Sequence, residues 1–210
     1  MTRRTRRPEA RSEEILDAAL AVFTELGFAG ARVEDIAARA GLSKGAVYVY
    51  FESKHAVLTA LVRRLADGVV GAAEALVEAG GDKDAESTLR ALLTFIIVQM
   101  SDPKMSAAPR FVITESQRFP EIGVLYRDVV LARVRRVIAR LCAAGQAQGV
   151  FRNVEPDVLL RLCGGPVVAH MFLTTVFADP AAPGPAPDVI AKGVADMVLN
   201  GLKVRQETTS

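Results

Sequence analysis

The chain has 210 residues, half of them apolar, only 6% aromatic, with a formal net charge of +2. That length can hold one or two small domains with a real core. Much of the apolar share is alanine, which suits closely packed helices, and no run of alternating β-branched residues is long enough to need a sheet.

The N-terminal arm, residues 1–11, carries Arg3, Arg4, Arg6, Arg7 and Arg11 against the single acid Glu9, so the positive surplus is concentrated there. Beside a DNA-binding element such an arm can reach phosphates or a minor groove; the alternative is a solubilising tail. Ser12 is placed to N-cap the first helix, with Glu13 and Glu14 in a first turn where the helix dipole favours acids. Ile15, Ala19, Val22, Phe23 and Leu26 follow at helical spacing, and Gly27-Phe28-Ala29-Gly30 is a breaker.

The segment from Val33 to Lys54 is the most informative part of the chain. It reads as two short helices joined by a tight turn. Ile36 and Val47 are apolar and can face each other, and Ala37 is small where two backbones cross. Gly41 stands where the first helix must end, because glycine enters the left-handed C′ conformation without a Cβ penalty. Leu42 fits under the turn, and Ser43 can cap the second helix through its hydroxyl. The pattern predicts a helix-turn-helix, whose second helix enters a DNA major groove; the bland alternative is an ordinary αα-corner.

With its flanks, from Ser12 to roughly Leu61, this stretch resembles the N-terminal DNA-binding domain of the TetR (tetracycline repressor) family of transcriptional regulators. Beyond it the chain matches that family in size and helical layout. Ser53 can cap a fourth helix to about Ala79, ended by Gly80-Gly81. Further helices are expected over Asp84 to Met100, Met105 to Arg118, Glu121 to Gln146, Pro156 to Phe177 and Asp188 to Val204, with a proline-rich linker from Asp179 to Pro187. The expected fold is all-α: a three-helix helix-turn-helix domain over 12–53, a helical ligand-binding and dimerisation domain over 54–204, a tail at 205–210, and about nine helices in all. Pro166 is expected to kink the eighth helix near Leu162.

The resemblance implies a double-stranded DNA operator of inverted half-sites, bound by a homodimer and controlled by a small-molecule effector. Ser43, Lys44, Gly45, Ala46, Tyr48 and Val49 would face the groove, Ala46 toward a thymine methyl, and Tyr48 and Tyr50 would donate to phosphates. For each tyrosine the alternative is packing against the first helix. Lys54 stands at the family position that clamps a phosphate. Arg32 stands where the family most often has a capping Thr or Ser; it can reach phosphate, but leaves the cap unexplained. Val49 stands where longer polar residues are common, so direct readout is expected to be thin and DNA shape to matter more.

Effector-lining candidates are Phe95, Gln99, Met100, Phe111, Thr114, Glu115, Tyr126, Arg127, His170 and Phe172, being aromatic, flexible or polar residues amid apolar neighbours. A mainly apolar effector that releases DNA is expected, with activation or ligand-independent DNA binding as the alternatives. Leu159, Leu162, Val167 and Met171 on the eighth helix, and Ile190, Val194, Met197 and Val198 on the ninth, are the expected dimer interface; the alternative is intramolecular core.

An enzyme is the rival class. Cys163 and His170 lie about 10 Å apart by helical rise, too far for a thiolate–imidazole pair. No phosphate loop, metal-ligand cluster or nucleophile elbow is visible, so neither cofactor nor metal is expected. The two cysteines, Cys142 and Cys163, suggest no disulfide framework. The arginine-rich N-terminus lacks an apolar signal region, and no apolar run reads as long enough to span a membrane. A cytoplasmic protein is expected.

Overall fold

The computed structural model describes residues 8–80 and 83–204. The arm arginines Arg3, Arg4, Arg6 and Arg7, together with Gly81 and the tail at 205–210, lie outside them.

Among the described residues there are nine helices. They are α1 (Pro8–Gly30), α2 (Val33–Arg39), α3 (Lys44–Tyr48), α4, α5 (Ala85–Ser101), α6 (Ala107–Glu115), α7, α8 (Pro156–Thr175) and α9 (Pro187–Leu202). Helix α4 runs Lys54–Leu65, passes through a π-helical turn at Ala66–Val70 and resumes as Gly71–Gly80. Helix α7 does the same: Pro120–Tyr126, a π turn at Arg127–Leu131, then Ala132–Ala147. Helix α1 begins at Pro8, ahead of Ser12, which therefore lies inside the helix and does not cap it. Helix α8 continues through Pro166, which has no N–H to offer the Leu162 carbonyl.

The chain forms two compact units. The first comprises residues 1–65 and 107–129; the second comprises 66–106 and 130–210. The unit holding the helix-turn-helix therefore extends past the expected limit of 53, taking in the first part of α4, all of α6 and the start of α7. The chain leaves the first unit at the π turn of α4 and, later, within the π turn of α7.

The first unit is built on Ile15, Ala19, Val22, Phe23, Phe28, Ile36, Val47, Val57 and Phe111, all buried. Leu26, expected in the α1 stripe, is instead exposed. Phe23 stacks on Phe111 with ring centroids 5.5 Å apart, and Phe28 meets Phe119 edge-on at 5.4 Å. These contacts explain why α6 belongs to this unit: α1 alone leaves one face of its aromatic stripe uncovered.

The second unit is centred on Leu89, Leu93, Ile138, Leu141, Phe151, Leu159, Ala195, Leu199 and Leu202. Gly145 is required here by close approach. A Cβ on it would lie 2.0 Å from the Phe151 ring, and Phe151 also donates its backbone N–H to the Gly145 carbonyl at 3.0 Å. Phe151 pairs with Lys203 in an isolated antiparallel bridge, which pins the end of α9. Arg133 grips Glu74 through two hydrogen bonds of 3.0 and 2.7 Å and reaches Asp67, in the α4 π turn, at 2.7 Å.

By length and composition α8 is apolar enough to cross a membrane, contrary to the expectation that no such run exists. Its four leucines and three valines outweigh Asp157, Arg161 and His170. Leu159, Cys163, His170 and Met171 of this helix are buried within the second unit.

Candidate nucleic-acid interface

The turn between α2 and α3 forms as the sequence requires. Gly41 takes a left-handed φ of 67°. Its N–H donates to the Ala38 carbonyl at 3.1 Å, and that of Leu42 to the Ala37 carbonyl at 2.8 Å, the reciprocal pair of a Schellman motif. Ser43 then caps α3, its Oγ accepting from Ala46 N at 3.2 Å. Ile36 and Val47 are fully buried. The Arg32 question resolves differently: Asp35 supplies the cap of α2, its carboxylate accepting from the Arg32 backbone N–H at 2.9 Å. Arg32 itself is exposed.

Of the expected groove residues, Ser43, Lys44, Gly45, Tyr48 and Tyr50 are exposed and Ala46 is half-buried. Lys44 pairs with Glu34 at 2.6 Å and lies 5.8 Å from the Tyr48 ring centroid. That pairing holds the Glu34 carboxyl below its usual range and the Lys44 ammonium above its own. Both groups remain in water, so the pair is a weak, screened contact that a phosphate can replace. Arg39 is likewise paired with Glu25, and Arg11, the one described arginine of the arm, with Glu14 at 3.0 Å.

Lys54 departs from its expected role. Its Nζ donates to the carbonyls of Phe28 at 2.6 Å, Ala31 at 2.9 Å and Ala29 at 3.4 Å, and lies 4.6 Å from the Phe28 ring centroid. Three acceptors match the three donors of an ammonium. The side chain holds the α1–α2 joint, and burial pushes its pKa down. What Lys54 leaves for a phosphate is the start of α4, where Ser53 Oγ already caps Ala56 N at 3.1 Å.

The effector candidates divide between the units. Phe111, Thr114, Glu115, Tyr126 and Arg127 belong to the first; Phe95, Gln99, Met100, His170 and Phe172 belong to the second. Several in the first unit have structural work instead. Phe111 stacks on Phe23, and Thr114 donates to the carbonyls of Arg110 and Phe111 on its own helix. Glu115 accepts from Phe28 N at 3.0 Å, and Arg127 is exposed and paired with Asp128. Desolvation pushes the Tyr126 phenol up to about 12. In the second unit Met100 and His170 are buried, and His170 Nε2 shares a 2.8 Å hydrogen bond with Ser101 Oγ.

The expected dimer stripes mix two faces. Leu159 and Met171 are buried in their own unit, and Val194 and Val198 are partly buried and pack against its core. Ile190 and Val167 are half-buried. Leu162 and Met197, at 51% and 80% exposure, are outward-facing. They belong to stripes the sequence reading missed: Val158, Leu162, Gly165 and Ala169 on α8, and Val189, Gly193 and Met197 on α9. The four-residue spacing of 189, 193 and 197 was the available signal, obscured because glycine does not register as apolar.

Cys163 and His170 do not form a nucleophilic pair. Burial and the neighbouring Cys142 push the Cys163 thiol up to about 12, which keeps it protonated, and His170 is bonded to Ser101.

A capped helix-turn-helix with an exposed second helix, in a chain that also forms a second compact helical unit, defines a helix-turn-helix DNA-binding regulator. The sequence matches the family described as bacterial regulatory proteins, tetR family, over residues 15–61, and the tetracyclin repressor-like C-terminal domain over residues 79–190. It is 34% identical over 192 residues to the HTH-type transcriptional repressor KstR2 of Rhodococcus jostii, covering 91% of each chain. Among solved structures it resembles a transcriptional regulator of Saccharomonospora viridis in complex with choline, with a TM-score of 0.71 and 26% identity over 95% of this chain and 100% of that one. It also resembles the fatty acid degradation regulator FadR of Bacillus halodurans, with a TM-score of 0.75 and 22% identity over 91% and 99% of the two chains. The chain belongs to the TetR family of transcriptional regulators.

Proposed function

We propose that this regulator is a repressor that binds an inverted-repeat operator as a homodimer and is released by a small, mainly apolar effector. The outward apolar stripes of α8 and α9 carry the dimeric part of this reading. Val158, Leu162, Val189 and Met197 are each about half exposed or more, on helices whose opposite faces are core. A second copy supplies the cover by two-fold symmetry, and two helix-turn-helices then meet two half-sites. Repression is favoured by the named activity of the R. jostii relative.

The effector reading rests on the second unit. Ser101 and His170 are a polar pair among Met100, Ile97 and Met171, all buried. An apolar molecule with one hydrogen-bonding group suits such surroundings, with Phe95, Gln99 and Phe172 as further lining. Effector binding would then act through population shift between DNA-competent and DNA-incompetent conformations.

Mobility shift and footprinting on the DNA upstream of the protein's own gene test the reading. A protected inverted repeat, weakened by Lys44→Ala and Tyr48→Phe and released saturably by an apolar compound, is expected. Protection that no compound relieves would favour the ligand-independent alternative; a footprint that requires a compound would favour a co-repressed or activating regulator.

A further inference from the structure

The recognition helix presents an unusual outer face. Ser43 Oγ is engaged as the cap of α3, and Gly45 and Ala46 carry no polar side-chain atoms. Lys44 is tied to Glu34 and lies near the Tyr48 ring. The side chain that projects furthest is apolar: Val49 is 78% exposed, exceeded among the large apolar residues described only by Met197 at 80%. Gly45 precedes it by one helical turn on the same face, and a Cβ built on Gly45 would meet nothing within 4 Å. The backbone there is open, so a base edge can approach closely enough for Val49 to touch it.

We infer that Val49 is a specificity-determining residue that reads the C5-methyl group of a thymine in each operator half-site. Valine can neither donate nor accept a hydrogen bond, so it gains nothing from the polar atoms that mark the other base edges. The thymine methyl is the one apolar feature in the major groove, and it separates T·A from C·G at that position. Covering the methyl with Val49 removes both from water. This assigns direct readout to a position whose apolar character argues for shape readout when only the sequence is considered. It rests on the DNA-binding function and leaves the effector and the sign of regulation aside.

The test begins with duplexes selected by the full-length protein from random sequence. Each thymine of the selected operator is then replaced singly by uracil, which deletes the methyl and keeps the base pairing. One thymine per half-site should lose roughly fourfold in affinity on replacement, the scale of one buried methyl. Val49→Ala should bind thymine and uracil duplexes equally at that position, whereas Ala46→Gly should keep the discrimination there. Circular dichroism and thermal melting of Val49→Ala should match wild type, because the side chain lies in solvent. The inference is overturned if no thymine is methyl-sensitive, or if the sensitivity persists in Val49→Ala or vanishes only in Ala46→Gly. Failure to select any duplex would overturn the DNA-binding reading and this inference together, an outcome distinct from methyl-insensitive binding.

Discussion

Lys54 and Glu115 hold the same residue from opposite sides: Lys54 Nζ donates to the Phe28 carbonyl at 2.6 Å, and the Glu115 carboxylate accepts from the Phe28 N–H at 3.0 Å. Phe28 follows Gly27, whose φ of 68° breaks α1, so the N–H and carbonyl of Phe28 lie at an interruption of the helix. A cation takes the carbonyls and an anion takes the N–H. The angle at which α1 hands over to the helix-turn-helix is thereby fixed by residues 26 and 87 positions away in sequence.

Replacing Lys54 by Met should therefore act on stability. Leaving partly buried carbonyls without a donor costs about 2 kcal/mol, and urea unfolding should show the loss. Operator affinity should fall as well, but the slope of log affinity against log salt should stay at the wild-type value. A phosphate clamp would give the opposite pattern, with unchanged stability and a slope reduced by about one contact per chain, hence about two per dimer.

How much of this was legible in the sequence depends on reach. The α2–α3 corner was readable because each part, Gly41, Ser43, Ile36 and Val47, acts within a few residues. The Lys54–Phe28–Glu115 arrangement was not, because nothing local distinguishes a lysine bound to carbonyls from one that meets phosphate. The same limit explains Ser12: a hydroxyl ahead of an apolar stripe looks like a cap until the helix is seen to start at Pro8. Helix count and order were legible from glycine and proline breaks. The π turns in α4 and α7 were not, since Ala66–Val70 and Arg127–Leu131 contain no residue that forbids an ordinary helical turn.

Gly145→Ala should be among the most damaging small substitutions in the second unit. The added methyl would overlap the Phe151 ring, itself buried in the core, and overpacking of this kind costs about 3 kcal/mol. Urea unfolding checks the loss. Phe151→Leu in the Gly145→Ala background should recover part of it, and purely additive effects of the two changes would contradict the contact.

His170 predicts that the second unit is acid-labile. Burial holds the ring below its free value of 6.5 in the folded chain. As pH falls the unfolded chain takes up the proton first, so stability is level above 6.5 and is lost as pH drops below it, until the folded ring protonates too. Urea midpoints at a series of pH values should fall on acidification in wild type. His170→Gln should remove part of that fall while retaining a hydrogen-bonding group beside Ser101.

The two faces of α8 and α9 separate by substitution. Leu159→Ala empties a core position and should cost roughly 3 kcal/mol of stability. Met197→Glu changes a side chain that is 80% exposed and should leave the fold intact while dissociating the dimer. Thermal melting at low protein concentration and size-exclusion chromatography distinguish these outcomes.

The most direct test of the whole account is the stoichiometry of the DNA complex, measured by sedimentation of the protein with a fluorescent operator duplex. Wild type should sediment with an even number of chains on one inverted repeat, and Met197→Glu should bind weakly, one chain to each half-site. A single wild-type chain occupying the full operator, or no difference between the two proteins, would contradict a regulator that reads DNA through paired helix-turn-helices joined by α8 and α9.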